Sequence, residues 1–373
     1  MTQAAIVHNI PISYQHLLFK ELAGLGLDFD VIFTAARSSQ RIETPQLSTA
    51  GYRYRVGFDG LYEGTPTLRS FWFVTRSLQE LEPEVVIVGG WSDAANWAAW
   101  LWAGLKGKPL ILWTESTEAD RPRGRWKEAL KRIFVSRCRV AHVYGTRAKE
   151  YLEKLGMPGS RIVTGRALVD VNRFTPPAAR PDNPRVLLYV GRFSPEKNVP
   201  ALLRALRLCW DRGGAGRVEL SLVGYGAEER SLRALADELG IGSGVKFAGS
   251  SAQAGLPAHY RAAHAFVLPS TSEPWGLVVN EAMLCGLPAL VSDRCGCAPD
   301  LIGPDTGWTF SPSDESRLAD LFLTVADLPC DALERMGAAA RQRAMRYNPR
   351  ECARAVIGTV ERAAGRAPVR AVA

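Results

Sequence analysis

A chain of 373 residues is long for one domain and comfortable for two, and 47% apolar with 23% charged residues is the balance of a soluble globular protein. The net charge of +8 is uneven: residues 1–180 carry 24 Lys and Arg against 17 Asp and Glu, whereas residues 181–373 carry 22 against 21. Seven cysteines without any Cys-x-x-Cys argue for reduced, mostly buried thiols; Cys295 and Cys297 stand too close together for an ordinary zinc knuckle and have no matching pair.

The first half alternates apolar runs with helical patterns. Strands are predicted at Ala4 to Val7, Phe29 to Phe33, Val85 to Val88, Leu110 to Thr114 and Val140 to Tyr144, with helices at Tyr14 to Leu25 and Phe71 to Leu81. The most apolar window, Ala94 to Leu105, is cut off by Lys106, Lys108 and Pro109 short of the roughly 20 residues that span a bilayer. No signal-like start is seen, so the chain is read as cytoplasmic. Residues 121–139 hold eight bases and one acid. Trp126, Ala129, Leu130, Ile133 and Phe134 there share one helical face, which is expected to pack on a sheet while Arg125, Lys127, Lys131 and Arg132 face out.

Phe174 to Pro184 contains four prolines and reads as a stiff linker. The expected division is therefore 1–173, a linker at 174–184, a second domain at 185–349, and a C-terminal helix and tail at 350–373. Beyond the linker, strands are predicted at Val186 to Val190, Val218 to Val223, Val245 to Phe247, Ala265 to Leu268 and Pro288 to Ser292. Helices are predicted at Ala201 to Trp210, Glu228 to Leu239, Leu256 to Ala262, Leu277 to Cys285 and Arg350 to Ala364. Continuous Val/Ile/Leu runs separated by helices mark parallel sheets covered on both faces. The fold class is α/β, with two Rossmann-like doubly wound domains facing a cleft.

Chemistry concentrates in two places. In Leu187 to Asn198 an apolar run ends in Gly191, and Arg192 and Lys197 follow on a short loop. Arg supplies a planar fork of donors and Lys a mobile point charge, a common pair for a diphosphate. In Ser270 to Met283, Glu273 and Glu281 bracket Pro-Trp-Gly-Leu-Val-Val-Asn. The helix there starts near Gly276 and is stopped by Gly286 and Pro288. A loop acid, a glycine and a helix N-terminus suit a ligand with both phosphates and hydroxyls. Gly224-Tyr225-Gly226 lacks the third glycine and the ribose acid of a nicotinamide site, and reads as a tight turn near the nucleotide.

These segments, with Val245 to Gly249 between them, resemble the nucleotide-sugar half of a GT-B glycosyltransferase, and most closely the retaining family 4, over about Arg185 to Pro312. The Glu-x7-Glu element is the specific part of the match. Gly145 to Leu152 and Val169 to Phe174 are similar to that family's approach to its interdomain linker. The resemblance implies a donor site of Gly191, Arg192, Lys197, Gly224, Phe247, Ala248, Glu273, Gly276, Leu277, Val278 and Glu281. Within it Glu273, Arg192 and Lys197 would serve catalysis. Glu273 would face the donor sugar, Glu281 the ribose, and the amides from Gly276 to Val278 the distal phosphate. It also implies a last helix that returns to the first domain.

No cofactor and no metal are expected: the co-substrate is a nucleotide diphosphate sugar, a UDP-sugar ahead of a GDP- or ADP-sugar. Arg192, Lys197 and the helix end would neutralise the leaving group. No Asp-x-Asp, the metal-holding signature of the other main glycosyltransferase architecture, is expected in the chain. The acceptor is a sugar, a lipid-linked molecule or a small molecule. On its side the first domain departs from the family pattern, and His8, Asn9, Asp93 and Glu115 are the candidates near strand ends. Nucleic acid is not an expected partner, since no reader motif accompanies the basic stretch. Residues 123–139 are a candidate peripheral contact with an anionic membrane, at its inner face. A sugar-nucleotide epimerase of the same shape and an inactive basic scaffold subunit are the competing readings.

Overall fold

The computed structural model describes residues 3–39, 45, 47–119, 124–177 and 184–366. Part of the proline-rich segment and residues 121–123 of the basic stretch lie outside them. By its contacts the chain divides into two compact units. One comprises residues 1–118, 122–168 and 347–373, and the other is chiefly 169–346.

The first unit is a seven-stranded parallel sheet. Its strands are β1 (Ala4–His8), β2 (Phe29–Phe33), β3 (Arg53–Val56), β4 (Val85–Val88), β5 (Leu110–Thr114), β6 (Val140–Val143) and β7 (Ile162–Val163), in the order β3-β2-β1-β4-β5-β6-β7. Its helices are α1 (Ser13–Gly24), α2 (Thr67–Leu81), α3 (Ala94–Leu105), α4 (Arg125–Arg137) and α5 (Thr146–Lys154). The apolar window at 94–105 is thus the inner helix α3, buried through Ala95, Ala98, Ala99, Trp102 and Ala103. Helices α2 to α5 cover one face of the sheet, where Val74, Leu78, Ala99, Phe134 and Leu152 meet Val7, Val86, Val88 and Leu112.

The second unit is a six-stranded parallel sheet. It contains β8 (Arg185–Val190), β9 (Val218–Val223), β10 (Val245–Gly249), β11 (Ala265–Leu268), β12 (Ala289–Ser292) and β13 (Gly307–Phe310), in the order β10-β9-β8-β11-β12-β13. Between them run α6 (Val199–Cys209), α7 (Glu229–Glu238), α8 (Leu256–Ala262), α9 (Leu277–Leu284) and α10 (Ala298–Leu301), followed by α11 (Glu315–Asp327) and α12 (Cys330–Ala344). Its core includes Leu187, Leu188, Phe266, Val267, Leu290, Leu202, Leu206 and Phe322, all fully buried.

The last helix, α13 (Pro349–Ala363), belongs to the first unit. It packs beside α1 on the second face of that sheet, where Val356 and Val360 join Leu18, Phe19, Ile6, Val31 and Ile111. Its Asn348 cap accepts from the Glu351 amide at 2.9 Å, and Pro349 sits at the first turn where no amide is needed. Among the described residues, no helix is long and apolar enough to cross a membrane.

Helix α4 corrects the sequence reading. Only Phe134 and Val135 of α4 are buried, whereas Trp126 is 85% exposed, Leu130 54% and Ile133 52%. The inward position is taken by Lys131, which donates to Glu128 at 2.8 Å and to the Tyr151 hydroxyl at 2.9 Å. Its ammonium also lies 5.6 Å from the centre of the Trp91 ring. The physical reason is volume: Trp97 and Trp100 already fill the space above the sheet, and both pack their rings on Phe134. The apolar stripe is therefore left facing water, with Arg125, Lys127 and Arg132 exposed beside it.

Candidate active site

In each sheet the strand order reverses once, between β1 and β4 in the first unit and between β8 and β11 in the second. Ligands of doubly wound sheets bind outside the carboxyl ends of the strands at that reversal. The loops after β8 and β11 carry Arg192, Lys197, Glu273 and Gly276, so the sheet itself gathers these residues.

The end of β8 is held by close backbone contacts. The Gly191 amide bonds the Val223 carbonyl at 3.0 Å, and the Gly224 amide bonds that of Gly249 at 2.8 Å. A Cβ on Gly224 would stand 1.8 Å from the Gly191 carbonyl oxygen, so only glycine lets β9 leave the sheet this close to β8. The Tyr189 hydroxyl donates to the Arg192 carbonyl at 2.7 Å and braces the loop from below. Asn198 then turns left-handed, at φ +53°, and its side-chain amide donates to the Pro312 carbonyl at 2.9 Å. The Thr271 amide bonds the Glu196 carbonyl at 2.9 Å, which stitches the loop after β8 to the loop after β11.

This stitching brings Lys197 and Glu273 into a direct ion pair, with only 15% and 13% of their side chains exposed. Arg192 does not share the pair. It is 48% exposed and reaches Glu196 at 3.3 Å. Glu196 is a participant that sequence reasoning missed; as a loop acid between two bases it had no distinguishing pattern. Its carboxyl is shifted down: burial opposes this, while the Ser194 hydroxyl, Arg192 and Lys197 favour the charged form.

Beyond Glu273 the backbone passes the loop after β12. The Gly296 amide bonds the Glu273 carbonyl at 2.8 Å, and the Cys297 amide bonds that of Trp275 at 3.2 Å. A Cβ on Gly296 would lie 1.8 Å from the Pro274 carbonyl oxygen. Cys295 and Cys297 are fully buried in this contact, and none of the seven cysteines is joined in a disulfide. The Trp275 indole is also buried and donates to Asn280 Oδ1 at 2.8 Å, which anchors the loop to α9. Gly276, at φ +99°, makes the turn into α9. The first-turn amides at Leu277 and Val278 have no acceptor within a helix, and their dipoles favour negative charge.

Glu281 follows in the second turn. Its Oε2 accepts from the Tyr260 hydroxyl at 2.8 Å. Burial pushes its carboxyl up to about 7, while the Tyr260 bond and the Arg173 cation pull the other way. Phe247 and Ala248 lie at the end of edge strand β10, where the pairing register slips before Gly249. The Phe247 ring meets Phe193 edge-on at 6.4 Å and carries the Arg233 guanidinium 4.4 Å from its centre.

In the first unit, the strand ends separate the acceptor candidates. Asn9 after β1 and Asp93 after β4 meet at the reversal. The Asn9 side chain and the Tyr62 hydroxyl both bond the Asp93 carboxylate, and burial raises that carboxyl. His8 is engaged locally: its Nδ1 lies 3.0 Å from the Ile10 carbonyl, and its ring packs edge-on against Phe19 and Phe33. Glu115 is exposed after β5, near enough to Tyr144 to help raise its phenol, for which burial is the main cause. An Asp-x-Asp spacing does occur at Asp28-Phe29-Asp30, but both carboxylates are taken by Arg53, with Asp30 at 3.0 Å. Among the described residues, no three His, Cys, Asp or Glu side chains are grouped to hold a metal ion.

Two family models match the chain in succession. Residues 11–167 match the glycosyl transferase 4-like domain, and residues 170–343 match glycosyl transferases group 1. The chain belongs to the family 4 type of GT-B glycosyltransferases. It is 34% identical over 197 residues to D-inositol 3-phosphate glycosyltransferase 2 of Catenulispora acidiphila, a match over 49% of this chain and 46% of that protein. The chain thus spans about half the length of that relative. Two solved structures share the fold at low identity. Sucrose-phosphate synthase from Thermosynechococcus elongatus has a TM-score of 0.77 at 20% identity, covering 95% of this chain and 96% of that one. Anabaena HepE in complex with UDP and glucose has a TM-score of 0.75 at 16% identity, covering 95% and 98%.

Proposed function

We propose that this protein moves a sugar from a nucleotide diphosphate sugar to an acceptor hydroxyl, with retention at the anomeric carbon and without a metal ion. The observation that carries the reading is the Lys197–Glu273 pair, placed beside the start of α9 at the strand-order reversal. As the glycosyl–phosphate bond breaks, positive charge grows on the sugar and negative charge on the diphosphate. Lys197, Arg192 and the first-turn amides of α9 meet the negative charge, and Glu273 lies on the sugar side. Glu281 accepts from the ribose hydroxyls. Asn9 and Asp93 are the acceptor-side groups this reading favours over His8. UDP in the HepE complex favours a UDP-sugar as donor.

Incubation with UDP-, GDP- and ADP-sugars and an acceptor tests the reading. Free diphosphate in proportion to glycoside, with the anomeric configuration kept by NMR, is the expected result. Conversion of the sugar nucleotide without any acceptor would identify an epimerase instead. Turnover is expected to be unchanged in excess chelator; loss of activity that magnesium or manganese restores would remove the metal-free part.

The outward stripe of α4 supports a cytoplasmic protein that binds peripherally to the inner membrane face and works on a lipid-linked acceptor. Trp126, Leu130 and Ile133 can enter the headgroup boundary while Arg125, Lys127 and Arg132 meet anionic lipid. Each base near such a surface contributes about 1 kcal/mol. Liposome sedimentation is expected to rise with anionic lipid and fall with salt. Neutralising the three bases should cut binding at least tenfold, and replacing the three apolar residues with Ser should abolish it. Equal binding by both variants and the native protein would assign this face another role.

A further inference from the structure

Tyr260 is buried on α8, its ring edge-on to Phe174 at 5.7 Å and tilted against Phe266 at 6.0 Å. Its hydroxyl donates to Glu281 Oε2 at 2.8 Å. We propose that Tyr260 is a positioning residue that fixes the Glu281 carboxylate as an acceptor for the ribose of the bound nucleotide. The proposal rests on the reading of Glu281 as the ribose-binding acid.

Three observations support it. The bond engages one carboxylate oxygen from a residue that has no room to turn, which leaves Oε1 as the oxygen to receive a hydroxyl. A side chain held before binding loses less freedom on binding. The second observation is electrostatic. The groups facing Glu281 are Tyr260 on α8 and Arg173 before the second unit's sheet, with Cys285, just after α9, near Tyr260. Arg173 is shared, with Gln253 at 2.9 Å and Asp170 at 3.8 Å, so Tyr260 is the one direct donor among them. The third is chemical. A protonated Glu281 presents one hydroxyl donor and loses acceptor capacity toward ribose hydroxyls. Burial favours that protonated form near neutrality, and the Tyr260 bond opposes it.

The carboxylate form is the binding form, so nucleotide affinity rises with pH through the Glu281 titration and then levels. Removing the Tyr260 hydroxyl moves that rise to higher pH. The test is calorimetric titration of UDP, with GDP and ADP beside it, from pH 6 to 9 on the native protein, Tyr260→Phe and Glu281→Gln. A diphosphate itself titrates at about 6, and the Glu281→Gln profile measures that contribution alone. For Tyr260→Phe we expect about tenfold weaker binding at pH 7, recovering toward the native value by pH 9. Binding weakened by the same factor at every pH would leave Tyr260 a packing role only, and a native profile would leave it none. A native profile in Glu281→Gln would remove the ribose reading and this proposal with it. A readout without the Tyr260 variant guards against misfolding. The melting-temperature gain from UDP should grow from pH 6 to 8 in the native protein beyond its growth in Glu281→Gln, and equal growth would overturn the proposal.

Discussion

Lys197→Ala is expected to lower turnover by roughly 30- to 1000-fold, the equivalent of about 2–4 kcal/mol in transition-state stabilisation. Two losses combine. On the proposed reaction the leaving diphosphate loses a cation, and Glu273, only 13% exposed, loses its partner and stays as an unpaired carboxylate in a poorly solvated place. Arg192→Ala should cost less, because Arg192 is 48% exposed and already shared with Glu196. Kinetics on both variants, with folding checked by circular dichroism, decides the order. Near-native turnover in Lys197→Ala would remove it from the catalytic set. A double-mutant cycle with Glu273→Gln adds a structural check: the double variant should melt higher than Lys197→Ala alone, because it no longer holds an unpaired charge.

Gly296→Ala is expected to reduce both stability and turnover although residue 296 carries no side chain to do chemistry. The added methyl would stand 1.8 Å from the Pro274 carbonyl oxygen, and the obstacle is backbone rather than the end of a flexible side chain. The loop must shift, at a cost of about 1–3 kcal/mol by comparison with overpacked cores. The bonds from Gly296 to the Glu273 carbonyl and from Cys297 to that of Trp275 move with it, so the Glu273 carboxylate leaves its place beside Lys197. Turnover should fall at least tenfold, since small misplacements in a catalytic site are costly. Thermal melting and kinetics measure the two effects. A variant that melts and turns over like the native protein would show that the two loops do not approach this closely.

The strands and helix that carry the proposed donor side were legible because each is local in sequence. Gly191 and Arg192 directly follow a strand that reads as apolar, and Gly276 and Glu281 open and ride one helix, so strand and helix periodicity place them. What a single sequence hides is who meets whom. Lys197 was read beside Arg192 on its own loop; that it also contacts Glu273, 76 residues away, is not written there. The hydrogen bond from Tyr260 to Glu281 joins residues on different helices, and a tyrosine in a helical apolar pattern reads as core. Strand β3 was missed because Arg53-Tyr54-Arg55 looks polar, as suits an exposed edge strand. Helix α4 failed differently. Its apolar periodicity is real, but periodicity reports a face and not its direction. The tryptophans of α3 had already taken the inner space.

The crossing of α13 back to the first sheet bears on how the chain is made. Val356, Val360 and Ala363 fill the sheet face that also holds Ile6, Val31 and Ile111. During synthesis the part of that face beyond α1 stays uncovered until the last helix has left the ribosome, after the whole second unit has been translated. The second unit, formed almost entirely from one continuous stretch, can close first. The nascent amino-terminal half must wait, with a greasy surface that chaperones can recognise. Any early stop codon before residue 349 would strand it in that state.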